Sequence, residues 1–179
     1  MYHSTTYPSP VGTLTLACDG SHLAGLWLEG QKYYGGSLTE ELVPADDLPV
    51  LNAAKEWLDR YFAGQRPSCH ELPLRPAGSP FRQLIWELLR EIPYGQVVTY
   101  GEIARRAAAR LHRETMSAQA VGGAVGHNPI SIIVPCHRVV GADGSLTGYA
   151  GGIPVKKKLL EIEGADLSGL FCPRAGRAL

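Results

Sequence analysis

Residues 99–126 read TYGEIARRAAARLHRETMSAQAVGGAVG, and this stretch decides the architecture of the chain. Thr99, followed three residues later by Glu102, has the spacing of a capping box. A helix therefore starts there and continues through Ile103, Ala104 and Ala107. Residues 108–116 form a polar, arginine-containing connector. Ser117 can accept from the first free N–H groups of a second helix, Ala118 to about Gly126. Two helices joined by a short break point to a helix-turn-helix. The second is built mostly from Ala, Gly and Val, with few side chains long enough to reach base edges in a wide groove. Small residues suit close backbone approach to a narrow one. Two readings stand at this point: a helix pair that binds nothing, and a nucleic-acid reader.

Downstream, Asn128-Pro129 is a turn, and Ile130 to Val134 is a β-branched run that predicts a buried strand. Pro135 stops it and fixes the approach to Cys136-His137-Arg138. A cysteine at a strand end beside His and Arg sits where the thiolate, its reactive form, could be favoured. Free cysteine is also among the most buried residue types, so nucleophile and structural residue both stay open. Upstream, Ser79 and Pro80 open a helix with Phe81, Leu84, Ile85, Leu88, Leu89 and Ile92 on its buried face. Pro93-Tyr94-Gly95 ends it, and Gln96 to Val98 is extended. Pro67, Pro73, Pro76 and Pro80 make residues 65–79 a linker. Before it, Val50, Leu51, Ala54, Trp57, Leu58, Tyr61 and Phe62 form an apolar helical stripe with Pro49 in the first turn and Gly64 at the end. The first 45 residues read as strands: Val11–Cys18, a turn at Asp19-Gly20, then His22–Leu28, with a loop at Gly35-Gly36.

The 179 residues suit one domain or two small ones, and 45% hydrophobic content excludes global disorder. No apolar run approaches the ~18 residues of a membrane span. Met1-Tyr2-His3-Ser4 lacks the basic-then-apolar pattern of a signal peptide. Cys18, Cys69, Cys136 and Cys172 are scattered, which argues against a disulfide scaffold or a cysteine-rich zinc site and for a reducing cytoplasm. Basic and acidic residues balance at 17 each, but residues 80–160 carry net +5 against −4 over residues 1–79. That asymmetry points to an anionic partner for the central segment, or to ordinary surface charge.

Ile133-Val-Pro-Cys-His-Arg-Val139 resembles the active-site signature of the O6-alkylguanine-DNA alkyltransferases, the methylated-DNA–protein-cysteine methyltransferases. The likeness extends to residues 94–102, 120–129 and 148–152, to Lys156 and to residues 159–164. It covers residues 80–165 closely and residues 1–64 loosely. The resemblance implies an α+β fold: a ribonuclease-H-like α/β domain over residues 1–64, a linker over 65–79, a mostly helical winged helix-turn-helix domain over 80–165, and a tail over 166–179. It implies direct-reversal repair in one turnover. An alkyl group passes from O6 of guanine to Cys136, with O4 of thymine as an open alternative. His137 and Glu163 match a Glu–His–water–Cys relay, and Tyr100 matches the phenol that assists the leaving guanine. Asn128 supports the turn before the active-site segment, and Arg138 ties the active-site loop rather than touching substrate. Tyr149 and the Ala150 amide match the wall of the base pocket. The target base lies within a duplex, so it has to be flipped out. The resemblance implies a minor-groove approach, with Ala118, Ala120 and Gly122 near the sugar-phosphate walls. It implies double-stranded DNA as the partner and no cofactor; a monomer is the default because no extra apolar surface element is visible, and neither a metal nor a membrane partner is expected.

Family members commonly place an arginine before the Ala-Val-Gly sequence to fill the vacated stack, and here that position is Gln119. Several homologues place serine where this chain has Ala150. The connector between Tyr100 and Gln119 is longer than in many relatives, and Arg105, Arg106, Arg110 and Arg113 in or beside it either meet phosphates or keep the loop solvated. Some members bind a structural zinc in the N-terminal domain, but Cys18, Cys69, His3, His22 and His70 have no ligand spacing. Rival readings are a regulatory DNA-binding module without chemistry, a cysteine hydrolase, and a DNA-binding domain with an inert cysteine.

Overall fold

The computed structural model describes residues 1–35, 38 and 40–173. Its N-terminal half is a four-stranded sheet, formed by β1 (Tyr2–Ser9), β2 (Gly12–Cys18), β3 (Leu23–Leu28) and β4 (Leu42–Pro44). The spatial order is β3-β2-β1-β4, antiparallel except for the parallel β1–β4 pair. Helix α1 (Pro49–Phe62) follows, and Gly64 takes a φ of +77° just past its end. The predicted Gly35-Gly36 loop lies partly outside the described residues, since Gly36 is not among them.

Every residue of β3 is buried, because both ends of its outer edge are covered. At one end Leu23 N–H donates to Pro73 O and Arg75 N–H donates to Leu23 O, each at 2.8 Å. Within the segment read as a linker, residues 73–75 thus form a single bridge to the edge of β3. Prolines at 73 and 76 are compatible with it because the bridge uses Pro73 as an acceptor and Arg75 as the donor. At the other end Leu26 N–H donates to Pro129 O at 2.9 Å, and Ser131 N–H donates to Leu26 O at 3.0 Å. The active-site segment is therefore docked on the N-terminal sheet.

The C-terminal half holds α2 (Pro80–Arg90), β5 (Val98–Thr99), α3 (Tyr100–Arg110), α4 (Ala118–Gly126), β6 (Val139–Val140) and α5 (Ile153–Ile162). Ser79, Thr99 and Ser117 each accept from the backbone N–H three residues on, which sets where α2, α3 and α4 begin. Helices α2, α3 and α4 pack on one another, and Trp86 Nε1 donates to Ala124 O at 2.9 Å to tie α2 to α4. One hydrophobic core runs through both halves, from Leu16 and Leu58 to Ile85, Val121 and Leu159. The predicted tail folds back as far as Phe171, whose O accepts from Leu146 N–H at 2.9 Å. Leu167 and Leu170 pack there on Val140, Leu146 and Leu160. Residues 174–179 of that tail lie outside the described residues.

Candidate active site

The expected strand over 130–134 is absent. Ile130 makes a single bridge to Leu26, and the chain then turns, with Ile133 N–H donating to Ser131 O and Val134 N–H to Ile130 O. Ile132 sits at φ +70°, rare for a β-branched residue and costing about 1–3 kcal/mol. Asn128 holds the turn from inside. Its Nδ2 donates to Val134 O at 2.8 Å, and its Oδ1 accepts from Ile130 N–H at 3.0 Å. A β-branched run favours a strand only while neighbours continue to pair with it. Here docking on Leu26 takes one residue, and the reversal then delivers Cys136, His137 and Arg138 as a buried 3₁₀ turn.

Glu163 caps the C-terminus of α5 and is buried, 2% exposed. Five donors converge on its carboxylate. Arg138 Nε and Gly95 N–H reach Oε1 at 2.8 and 3.1 Å. His137 Nε2, Tyr61 O–H and Arg138 Nη2 reach Oε2 at 2.5, 2.6 and 3.1 Å. Burial would raise this carboxyl, but His137 and Arg138 hold it well below the usual carboxylate range. An ionised acceptor at Nε2 places the imidazole proton there and leaves Nδ1 with its lone pair. That Nδ1 is buried and has no hydrogen-bond partner among the described residues. Burial lowers the His137 basicity, against the pull of Glu163.

Cys136 is 5% exposed. Burial raises its thiol above the ordinary value, countered by the Asn128 side chain and the Lys156 charge. Arg138 is turned away to Glu163 and to Ile92 O, so burial and not this guanidinium dominates around the sulfur. The cation facing it is Lys156, fully buried on α5, with Nζ donating to Val139 O and, at 2.8 Å, to Thr147 O. Burial lowers the ammonium to about 8, opposed by Cys136.

Tyr100 opens α3, and its hydroxyl donates to the same Thr147 O at 2.8 Å. A Cβ at Gly148, whose φ is +79°, would collide with that hydroxyl, so glycine is required there. Tyr149 is buried, and Ala150 O accepts from Lys32 N–H at 3.0 Å, which links the loop to the N-terminal half.

The turn, Tyr100, Asn128, Glu163 and Tyr149 thus meet in the interior, whereas Gln119, Ala118 and Ala120 lie exposed on α4. Gly122 is half-buried and Gly123 is exposed beside them, opposite the packed Val121, Ala124 and Val125. A Cβ at Gly122, Gly123 or Gly126 would meet nothing within 4 Å. Each glycine costs a helix about 1 kcal/mol relative to alanine, and internal packing does not call for three of them. The connector arginines divide into two pairs. Arg106 pairs with Glu102 at 2.6 Å and Arg110 with Glu91 at 2.5 Å. Arg105 and Arg113 form no ion pair among the described residues and line a cleft with Gly101, Ala104, Glu114 and Met116.

Comparison with known proteins decides the family. Residues 80–165 match the family described as 6-O-methylguanine DNA methyltransferase, DNA binding domain, and residues 2–76 match its ribonuclease-like domain. The methylated-DNA–protein-cysteine methyltransferase of Haemophilus influenzae is 43% identical over 89% of this chain and 84% of its own length. That of Mycobacterium tuberculosis is 46% identical over 91% and 93%. The chain belongs to the 6-O-methylguanine DNA methyltransferase family. Its fold is that of this family. The Mycobacterium tuberculosis OGT solved in complex with DNA superposes with a TM-score of 0.78 at 42% identity, covering 94% of each chain.

Two residues of this methyltransferase-family site were missed by reading the sequence. Tyr61 lay within an apolar stripe, and Lys156 entered only as part of a family match. A buried tyrosine needs a partner for its hydroxyl, and a lysine between Val155 and the core-facing Leu159 of α5 needs one for its charge. Those needs were the available signals, but neither names the partner.

Proposed function

We propose that the chain repairs DNA by direct reversal, moving an alkyl group, methyl foremost, from O6 of guanine to Cys136 in one irreversible turnover. The observation that carries this is the buried carboxylate–imidazole pair on the residue that follows Cys136, with Nε2 held by Glu163 at 2.5 Å and Nδ1 without a hydrogen-bond partner among the described residues. His137 draws that proton through a water, and the neighbouring Lys156 charge favours the thiolate formed. Sulfur then displaces the purine at the saturated carbon. The C–S bond forms as the C–O6 bond breaks, the electron pair stays on the purine, and the purine gains a proton or hydrogen bond. The Tyr100 hydroxyl supplies it, leaving Thr147 O to Lys156. A thioether does not hydrolyse, so each molecule acts once.

The base has to leave the helical stack to reach so buried a sulfur. The open face of α4 suits a minor groove, with Ala118, Ala120 and Gly122 against the walls and Gln119 in the vacated stack. Tyr149 and the Ala150 N–H border the base, while Asn128 and Arg138 hold the turn. Arg105 and Arg113 are the connector cations free to meet phosphates. Family membership supports this reading. The protein acts as a monomer. Four unpaired cysteines suit a reducing cytoplasm, and among the described residues no helix is long and apolar enough to cross a membrane.

Mass spectrometry after mixing with an O6-methylguanine duplex tests the proposal. One methyl is expected on the peptide holding Cys136, and none in Cys136→Ala. A wild-type protein left unmodified would refute it. The same assay with O4-methylthymine decides that alternative.

A further inference from the structure

We propose that Tyr61, on α1 of the N-terminal half, is a positioning residue of the proton relay, one that holds the Glu163 carboxylate and sets how strongly it pulls on His137. The inference rests on the alkyl-transfer reading and assigns the N-terminal half a part in the chemistry.

Tyr61 is fully buried, and its hydroxyl donates to Glu163 Oε2 at 2.6 Å. His137 Nε2 meets the same oxygen at 2.5 Å. The two hydroxyl partners lie 102 positions apart in the chain, so this bond exists only when both halves are closed on each other. The ring is itself held. It stacks on Trp57 at 5.4 Å between centroids and takes edge contacts from Phe62 and Tyr94 at 5.0 and 5.8 Å. The hydroxyl is therefore aimed by the packed face of α1 rather than by a flexible side chain.

A carboxylate oxygen that shares its lone pairs among more donors is a weaker acceptor for each of them. Oε2 already serves Arg138 Nη2 and His137, and Tyr61 is its third donor. A weaker pull on the Nε2 proton makes Nδ1 a weaker base, so the imidazole stays neutral and free to take the thiol proton. The groups around the imidazole are Glu163 at the C-cap of α5, Lys156 on α5, Cys136 and Arg138 on its own turn, Tyr149 on the following loop, Tyr94 after α2, and Tyr61 on α1. Their charges would remain in place if the Tyr61 hydroxyl alone were removed. The carboxylate would then act more fully on His137, whose proton would be held more tightly.

Tyr61→Phe removes that hydroxyl and keeps the ring. Two readings test it: the pH dependence of methyl transfer from an O6-methylguanine duplex, and the NMR titration of the His137 imidazole in the free protein. Both midpoints are expected to rise by roughly half to one pH unit, with slower transfer on the acid side. Tyr94→Phe, whose hydroxyl donates to Ile162 O at 3.3 Å, is expected to keep the wild-type midpoint. Unchanged midpoints in Tyr61→Phe, or an equal shift in Tyr94→Phe, overturn the inference. Should Tyr61→Phe not fold, the wild-type protein still decides. Its Tyr61 hydroxyl proton should exchange slowly and resonate downfield, and rapid exchange with solvent would count against the bond. If wild-type protein transfers no methyl, the proposed reaction fails, and the imidazole titration judges Tyr61 alone.

Discussion

Five donors converge on the buried Glu163 carboxylate, whereas the outward face of α4 offers Ala118, Gln119, Ala120 and Gly123 and no charge. The first region is specified by what is present. Its hydrogen bonds orient an imidazole whose free nitrogen is ready before any partner arrives. The second is specified by what is missing. Side chains are trimmed until the helix backbone itself can approach a surface, and some helix stability is given up for it. Rate and affinity should therefore be separable by mutation, with interior changes acting on the first and changes to α4 on the second.

Glu163→Gln should produce the largest effect. It keeps the shape, removes the charge, and points an amide donor at groups that are themselves donors. Methyl transfer is expected to slow by about 100-fold or more, since His137 without the carboxylate loses much of its strength as the general base. Stability should fall by about 3 kcal/mol as Arg138 loses its partner. Affinity for unmodified duplex, measured by titration below the melting point, should stay within about threefold. Rate and affinity falling together would make Glu163 structural and erase the contrast.

Gly123→Ala tests the opposite region with opposite signs. The added methyl enters open space in a helix, so thermal unfolding should show a gain of about 0.5–1 kcal/mol. Duplex affinity should drop several-fold if that face meets the sugar-phosphate walls. A more stable variant with unchanged affinity would move the DNA elsewhere.

The connector arginines allow a finer distinction. Arg105→Ala and Arg113→Ala should each flatten the dependence of log affinity on log salt by about 0.9, one phosphate contact on B-form DNA. Arg106→Ala and Arg110→Ala, already paired with Glu102 and Glu91, should flatten it less. Gln119→Arg carries the smallest effect, a modest rise in affinity for modified duplex. An unchanged or weaker value in a titration would count against Gln119 filling the vacated stack.

Much of the helical framework was legible without coordinates. Ser79, Thr99 and Ser117 cap α2, α3 and α4 through bonds that span three residues, and the stripe ending in Tyr61 and Phe62 became α1. The errors came where a distant segment supplied the partner. Ile130–Val134 has strand composition, yet Leu26 pairs with it for one residue and Asn128 closes it into a turn. Residues 65–79 looked like a linker because prolines discourage pairing, yet Pro73 and Arg75 cover the edge of β3. The charges near Cys136 also depend on distant segments. Arg138 lies two positions along the chain but faces Glu163, and the cation near the sulfur is Lys156, twenty residues on.

Taken alone, the order of residues settled where helices begin and which cysteine sits in the Pro-Cys-His-Arg block, because caps and motifs are written over a few neighbouring positions. Only the closed tertiary structure decided that Glu163 is buried, that the Tyr61 hydroxyl reaches it, and that Lys156 faces Cys136. Those contacts join segments 20 to 102 residues apart, and burial and charge act through space regardless of chain distance.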